Sequence, residues 1–325
     1  MMEKADSSRE DSKWATLDRN ILAIIFDKLD IMDITMGASR VCIYWFLVSH
    51  NITLWNTIDL SKFQHKGKNV IYKYRVDDEV EEALRFSNLL IKMSHFFFNF
   101  CEVKGIKLRN LLIEITKLSR TAPKNLFFNF YSNIKKQDLM FVAERMPNIE
   151  KLALPVSWSL CNEVKSFKFA FSQWKNLKTL IMAHNDFFIW PYTFEFRVVG
   201  ENCSNLNNLK IMGYLDNKDA VEIVRYLQSL KRLSLRCSSV NFIGLLLLIR
   251  GLGNLAILNL THCQYFRFNS ITINNVVQAV TQKLDKLIIC SKNDCKVCKD
   301  RPAKFGLHAL YEKYWQNDEI EELEF

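Results

Sequence analysis

A six-position pattern (apolar, two residues, apolar, one residue, apolar) recurs through the second half of this chain and constrains its fold more than any other feature. It reads Ile149/Leu152/Leu154, Leu177/Leu180/Met182, Leu206/Leu209/Ile211, Leu230/Leu233/Leu235, Leu255/Leu258/Leu260 and Leu284/Leu287/Ile289. The middle anchors are separated by 28, 29, 24, 25 and 29 residues. A degenerate copy, Leu126/Phe128/Phe130, lies 24 residues before Leu152 when Phe128 is taken as its centre. Between the copies, apolar residues recur at three or four, as in Leu139/Val142/Ala143, Ala220/Ile223/Val224/Leu227, Leu245/Leu248/Ile249/Leu252 and Val276/Val277/Val280. That spacing predicts one helix per unit. One strand and one helix per unit, at periods in the twenties, describe a solenoid of stacked repeats.

In such a stack each unit exposes an apolar edge that only the next unit covers, and the ends need caps. Leu54-Trp55 through Leu60 suits one end and Leu307 to Trp315 the other. Asn148, Asn176, Asn205, Ser229 and Asn254 introduce strands, where a small polar side chain satisfies backbone groups. Alternate strand residues face away from the core. They include Lys151, Thr179, Asn208, Lys210, Arg232, Ser234, Arg236, Asn259, Thr261 and Lys286. Lys210, Arg232, Ser234, Arg236, Asn259 and Thr261 are the candidate target-binding residues, and Arg232 with Arg236 would suit an acidic or phosphorylated segment. Helices are expected over Glu79–Met93 and Leu108–Ser119, with a strand near Phe97 to Phe100.

The front of the chain carries a second signal. Ile21, Leu22, Ile25, Phe26 and Leu29 recur at helical spacing, followed by Asp33-Ile34, Val41-Cys42, Trp45 and Leu54-Trp55. So short a segment cannot bury two tryptophans, two phenylalanines and about ten aliphatics within itself. Its surplus apolar surface implies a partner, inside the chain or outside it.

Other classes find little support. The first residues lack a signal-peptide core, and no apolar run approaches the ~18–20 residues of a membrane span, so an intracellular protein is expected. Nine cysteines, scattered through apolar stretches, fit reduced thiols. The net charge of +9 comes without a nucleic-acid motif; the loose cluster Lys62, Lys66, Lys68, Lys73 and Arg75 reads as solvated linker. Cys290, Cys295 and Cys298, with His308 beyond, could ligate zinc, but the ligand spacing is atypical and free thiols are the simpler expectation. No nucleophile–base spacing or phosphate loop occurs. No cofactor, metal or catalytic residue is expected.

Trp14 to Leu60 resembles an F-box, whose pattern begins Leu-Pro, continues with an Ile/Leu-Phe helix, and ends with Val-Cys-x-x-Trp and Leu-Trp. Asp18 stands where that family usually has proline, and an aspartate there suits a helix N-terminus. The later units resemble leucine-rich repeats. With the Ser-x-x-x-Cys-x-x-Cys stretch near the C-terminus, nearly the whole chain resembles a plant-type F-box/leucine-rich-repeat protein. The resemblance implies an α/β fold: a three-helix F-box (14–60) after a flexible terminus (1–13), then a linker with atypical repeats (61–125). Leucine-rich repeats (126–290) follow, with parallel strands on the concave face and helices on the convex face, and a C-terminal cap with an acidic tail (291–325) ends the chain. It also implies the substrate receptor of a Skp–cullin–F-box ubiquitin ligase, a non-catalytic subunit of cytoplasm or nucleus. Leu17, Leu22, Ile25, Phe26, Leu29, Ile34 and Val41 would face the Skp-family adaptor, and through it cullin and RING subunit. The repeats would hold an unknown target protein, with no nucleic acid or membrane involved. On this basis Leu22→Ala with Phe26→Ala should abolish adaptor capture and spare the repeats. A non-ligase scaffold and a small-molecule co-receptor are the alternatives.

Overall fold

Eight short strands join edge to edge in chain order, every pair parallel: β1 (Thr57–Leu60), β2 (Asn125–Phe128), β3 (Lys151–Leu154), β4 (Thr179–Ala183), β5 (Asn208–Met212), β7 (Arg232–Ser234), β9 (Ile257–Asn259) and β11 (Lys286–Ile288). Three shorter strands, β6 (Tyr214–Leu215), β8 (Ser239–Asn241) and β10 (Gln264–Phe266), make a second parallel sheet in the order β10-β8-β6. The computed structural model describes residues 14, 17–61, 63, 107–130, 132, 134–155, 164–183, 194–266 and 284–290. The expectations for Glu79–Met93, Phe97 to Phe100, Val276 to Val280, Leu307 to Trp315, the basic cluster beyond Phe63, the acidic tail, Cys295, Cys298 and His308 lie outside the described residues.

Register explains the repeat. Ile58, Leu126, Leu152, Leu180, Leu209, Leu233, Leu258 and Leu287 stand opposite one another in consecutive strands. The first seven are at most 1% exposed, so the uneven intervals in sequence converge on one continuous apolar row. Each fully buried leucine contributes about 1.5–3 kcal/mol. One detail corrects the sequence reading: Leu126, not Phe128, pairs with Leu152, so that interval is 26 residues.

Between the strands run α3 (Leu108–Ser119), α4 (Lys136–Arg145), α5 (Val164–Gln173), α6 (Phe196–Asn202), α7 (Asn217–Tyr226) and α8 (Phe242–Gly251), each packed on the next. α3 has the bounds expected from its periodicity, and buries Leu108, Leu111, Leu112, Ile115 and Leu118. α7 is closed by a reciprocal capping box between Asp216 and Asp219.

Neighbouring repeats are also tied through hydrogen bonds at equivalent positions. The Lys178 carbonyl accepts from the N–H groups of Asn207 and Asn208, both at 3.0 Å. The Asn207 carbonyl serves Lys231 and Arg232 in the next repeat, and the Lys231 carbonyl serves Ala256 and Ile257. Each carbonyl thus uses both lone pairs. The polar residues that introduce strands add to this: Asn148 donates to the Thr121 carbonyl at 3.0 Å, Asn205 to Lys175 at 3.1 Å, Ser229 to Leu206 at 2.6 Å and Asn254 to Gln228 at 2.9 Å. Their partners lie in the preceding repeat, so these side chains couple units instead of closing local turns.

Candidate functional site

The front of the chain folds onto the first edge of the sheet. It contains α1 (Arg19–Asp27), a π-helical turn (Asp33–Gly37), a 3-10 turn (Ala38–Arg40), α2 (Ile43–Ser49) and a second 3-10 turn (Ile52–Trp55). The middle element is irregular, with residues 31 to 40 helical throughout but passing from α to π to 3-10 geometry, and the segment ends in β1, part of the repeat sheet. Asp18 caps α1, its carboxylate accepting from the N–H groups of Asn20 at 2.8 Å and Ile21 at 3.4 Å. Across the π and 3-10 segments, the Thr35 and Ser39 hydroxyls donate to the Ile31 and Thr35 carbonyls, at 2.5 and 3.1 Å. Side chains that bond back to their own helix compete with its regular ladder.

Leu22, Phe26, Ala38 and Val48 form the local core, with Phe26 edge-on to Trp45 at 5.5 Å between ring centroids. Ile31, Ile34 and Trp55 belong instead to the large core of the repeats, and Leu29 and Leu54 touch both. Trp55 Nε1 donates to the Ser49 carbonyl at 2.6 Å, and Arg40 reaches Glu114 of α3 at 3.6 Å. The module is therefore anchored to the solenoid by side chains from both sides.

Of the seven residues expected to face an adaptor, Leu22, Phe26 and Ile34 are at most 3% exposed and lie inside the chain. Leu17, Ile25 and Leu29 are half-buried, and Val41 is 60% exposed. The surface is carried by residues outside the expected set: Ile24 (63%), Ile43 (80%), Phe46, Leu47 and Ile52, together with Ile21 and Trp14. Eight of the thirteen exposed large hydrophobics among the described residues fall between positions 14 and 52. A signal for them was present. Ile21 and Ile24 sit three apart on the side of α1 opposite Leu22 and Phe26, so the helix carries apolar residues outside the stripe that meets the core. Ile43, Phe46 and Leu47 repeat the helical spacing on α2.

The strand face of the repeats differs from expectation. Lys210 is fully buried, and Ser234, Asn259 and Arg236 are at most 7% exposed, so these four do not offer open binding groups. The third strand position explains most of this: Phe127, Ala153, Ile181, Lys210, Ser234 and Asn259 form one row across the sheet, and all are buried. Arg236 is not on a strand but in the turn after β7. Thr261 is half-buried, its hydroxyl donating to Asn259 Oδ1 at 2.8 Å. Arg232 is half-buried and belongs to a different row, the strand starts, with Thr57, Asn125, Lys151, Thr179, Asn208, Ile257 and Lys286. That row is polar except for Ile257 and at least partly accessible except for Thr179, and Asn125 and Asn208 donate along it to Thr57 and Thr179 at 2.9 and 3.0 Å.

No group of three metal-ligating residues occurs among the described residues. Nor, among them, is any helix long and apolar enough to cross a membrane.

A parallel sheet built from short repeated strands, backed by stacked helices and headed by a helical module with bare apolar surface, has the architecture of a leucine-rich-repeat protein. No family model matches the chain. It is similar to an F-box protein of Arabidopsis thaliana, 54% identical over 340 residues spanning all of both chains. It is also similar to an F-box/LRR-repeat protein of the same plant, 26% identical over 336 residues and 99% of each chain. The chain belongs to the plant F-box/leucine-rich-repeat family.

Proposed function

We propose that this protein is the substrate receptor of a Skp–cullin–F-box ubiquitin ligase of cytoplasm or nucleus, its front module docking on a Skp-family adaptor and its repeats holding a target protein. The observation that carries the reading is the concentration of exposed apolar side chains on that module, in a family whose relatives are named for the F-box. A monomeric soluble protein rarely leaves such a group bare. Ile24 and Ile21 on α1, Ile43 and Leu47 on α2, and Val41 and Ile52 in the flanking turns supply the anchors. Lys151, Asn208, Arg232 and Lys286, along the strand starts, supply polar and cationic groups for a target. Catalysis is by placement: a target lysine is brought near a charged conjugating enzyme held by the other subunits, and raised effective concentration accelerates the transfer.

The test is co-expression of the full chain with a Skp-family adaptor and cullin. Stable capture of both, lost on Ile24→Asp with Ile43→Asp while the repeats stay folded, supports the reading. Capture of adaptor without cullin would mark a non-ligase scaffold, and failure to capture adaptor removes the reading.

A further inference from the structure

Three described cysteines make polar contacts that differ in direction. Cys203 Sγ donates to the carbonyls of Trp174 and Phe171 at 3.5 and 3.7 Å, and burial pushes its thiol up to about 12. Cys263 Sγ donates to the Leu235 carbonyl at 2.7 Å, the same bond that Ser238 Oγ makes to Ile211 one repeat earlier. A group that donates to a carbonyl carries its proton. Cys290 also accepts a hydrogen bond. Its sulfur receives the backbone N–H of His262 at 3.1 Å, and His262 Nδ1 lies 3.4 Å away.

The repeat itself supplies a comparison. Cys237 and His262 occupy the same turn position in consecutive repeats, with φ of 60° and 57°. Cys237 N–H donates to the Thr261 carbonyl at 3.0 Å, and Cys290 stands in the place of Thr261 one repeat further on. A buried backbone N–H demands an acceptor. Here that acceptor is the sulfur of Cys290. The His262 side chain is 9% exposed, while Cys290, just after β11, remains partly accessible. The fold thus sets a sulfur against a backbone donor and an imidazole at a place that small molecules can reach.

We propose that Cys290 and His262 form a nucleophilic thiol site, open to covalent modification by small hydroperoxides. The sulfur attacks one peroxide oxygen, so that an S–O bond forms and the O–O bond breaks. The electron pair leaves on the other oxygen, which takes the proton shared by Cys290 and His262. Sulfur is oxidised to the sulfenic acid and the peroxide is reduced to water or an alcohol. His262 Nδ1, 3.4 Å from the sulfur, is placed to take the thiol proton as the S–O bond forms and to pass it to the leaving oxygen.

The experiment treats the full-length chain with hydrogen peroxide at neutral pH, traps sulfenic acid with dimedone, and follows each cysteine by peptide mass spectrometry. The urea-unfolded chain serves as reference. Cys290 should be trapped about tenfold faster folded than unfolded, while Cys203 and Cys263 should be slower folded than unfolded. His262→Asn keeps a side chain that tolerates positive φ and should bring the Cys290 rate toward its unfolded value. The folded-to-unfolded comparison of the native chain stands whether or not that variant folds. A folded rate no higher than the unfolded one overturns the proposal. So does a Cys290 rate unmoved in a folded His262→Asn variant, or stoichiometric zinc that shields Cys290 until a chelator is added.

Discussion

Phe26 and Ile43 lie in the same small module and should respond oppositely to truncation. Phe26 is fully buried among Leu22, Ala38 and Val48, against the edge of the Trp45 ring. Phe26→Ala removes most of an aromatic side chain from a core of four buried residues and should cost about 3–5 kcal/mol. A module this small has little stability to spare, so the variant should expose the 17–52 segment to protease and lower the first transition in thermal denaturation. Adaptor capture would then be lost through unfolding, as it would for Leu22→Ala with Phe26→Ala. Ile43 is 80% exposed, and Ile43→Ser should stay within about 0.5 kcal/mol in stability. If Ile43 is an interface anchor, the same change should weaken adaptor binding by about 2 kcal/mol, roughly thirtyfold. Limited proteolysis and calorimetric titration with purified adaptor separate the two outcomes. A Phe26→Ala chain that resists protease, or an Ile43→Ser chain that loses its fold, would refute the assignment of core and surface.

Gly200 on α6 packs so closely that an added Cβ would lie 2.2 Å from the Tyr226 carbonyl oxygen at the end of α7. Gly200→Ala must push two helices apart and should cost about 1–3 kcal/mol or more, measured by urea denaturation. Glu150 bridges Lys124 and Lys178 at 3.7 and 2.6 Å. The hydrogen bond from Lys178 lowers its carboxyl most; partial burial pushes the other way, and the charges of Lys178 and Lys124 add to the lowering. A depressed folded value means the stabilisation is present above the ordinary value of 4.5 and lost as pH falls through the folded one. The difference in Tm between native chain and Glu150→Gln should therefore shrink as pH drops below that range, and a constant difference would exclude the effect.

The repeat architecture was legible because it rests on periodicity. All six copies align their middle residues in one row, five of them buried and Leu287 at the end half-buried, whatever the length of the intervening helix and loop. Boundaries driven by local sterics were harder: the Leu126 copy was misaligned by two residues because Phe128 and Phe130 are also apolar and buried. The site was only half legible. Apolar spacing identified α1 but not which side meets the core, since Ile21 and Ile24 look like Leu22 and Phe26 in a list of residues. Whether Lys210 or Lys151 is accessible depends on what covers the third strand position, and strand alternation carries no information about that.

The filled third row has a geometric consequence for any ligand of the repeats. Groups still within reach from Asn125 to Lys286 lie in single file, at most one per strand and none on β4, with steps of about 4.8 Å set by backbone pairing. An extended peptide laid across them would present same-side groups only about every 6.8 Å. The two rulers fall out of step within a few strands, so a binding chain must bend, coil or touch down at intervals instead of matching the file rung for rung.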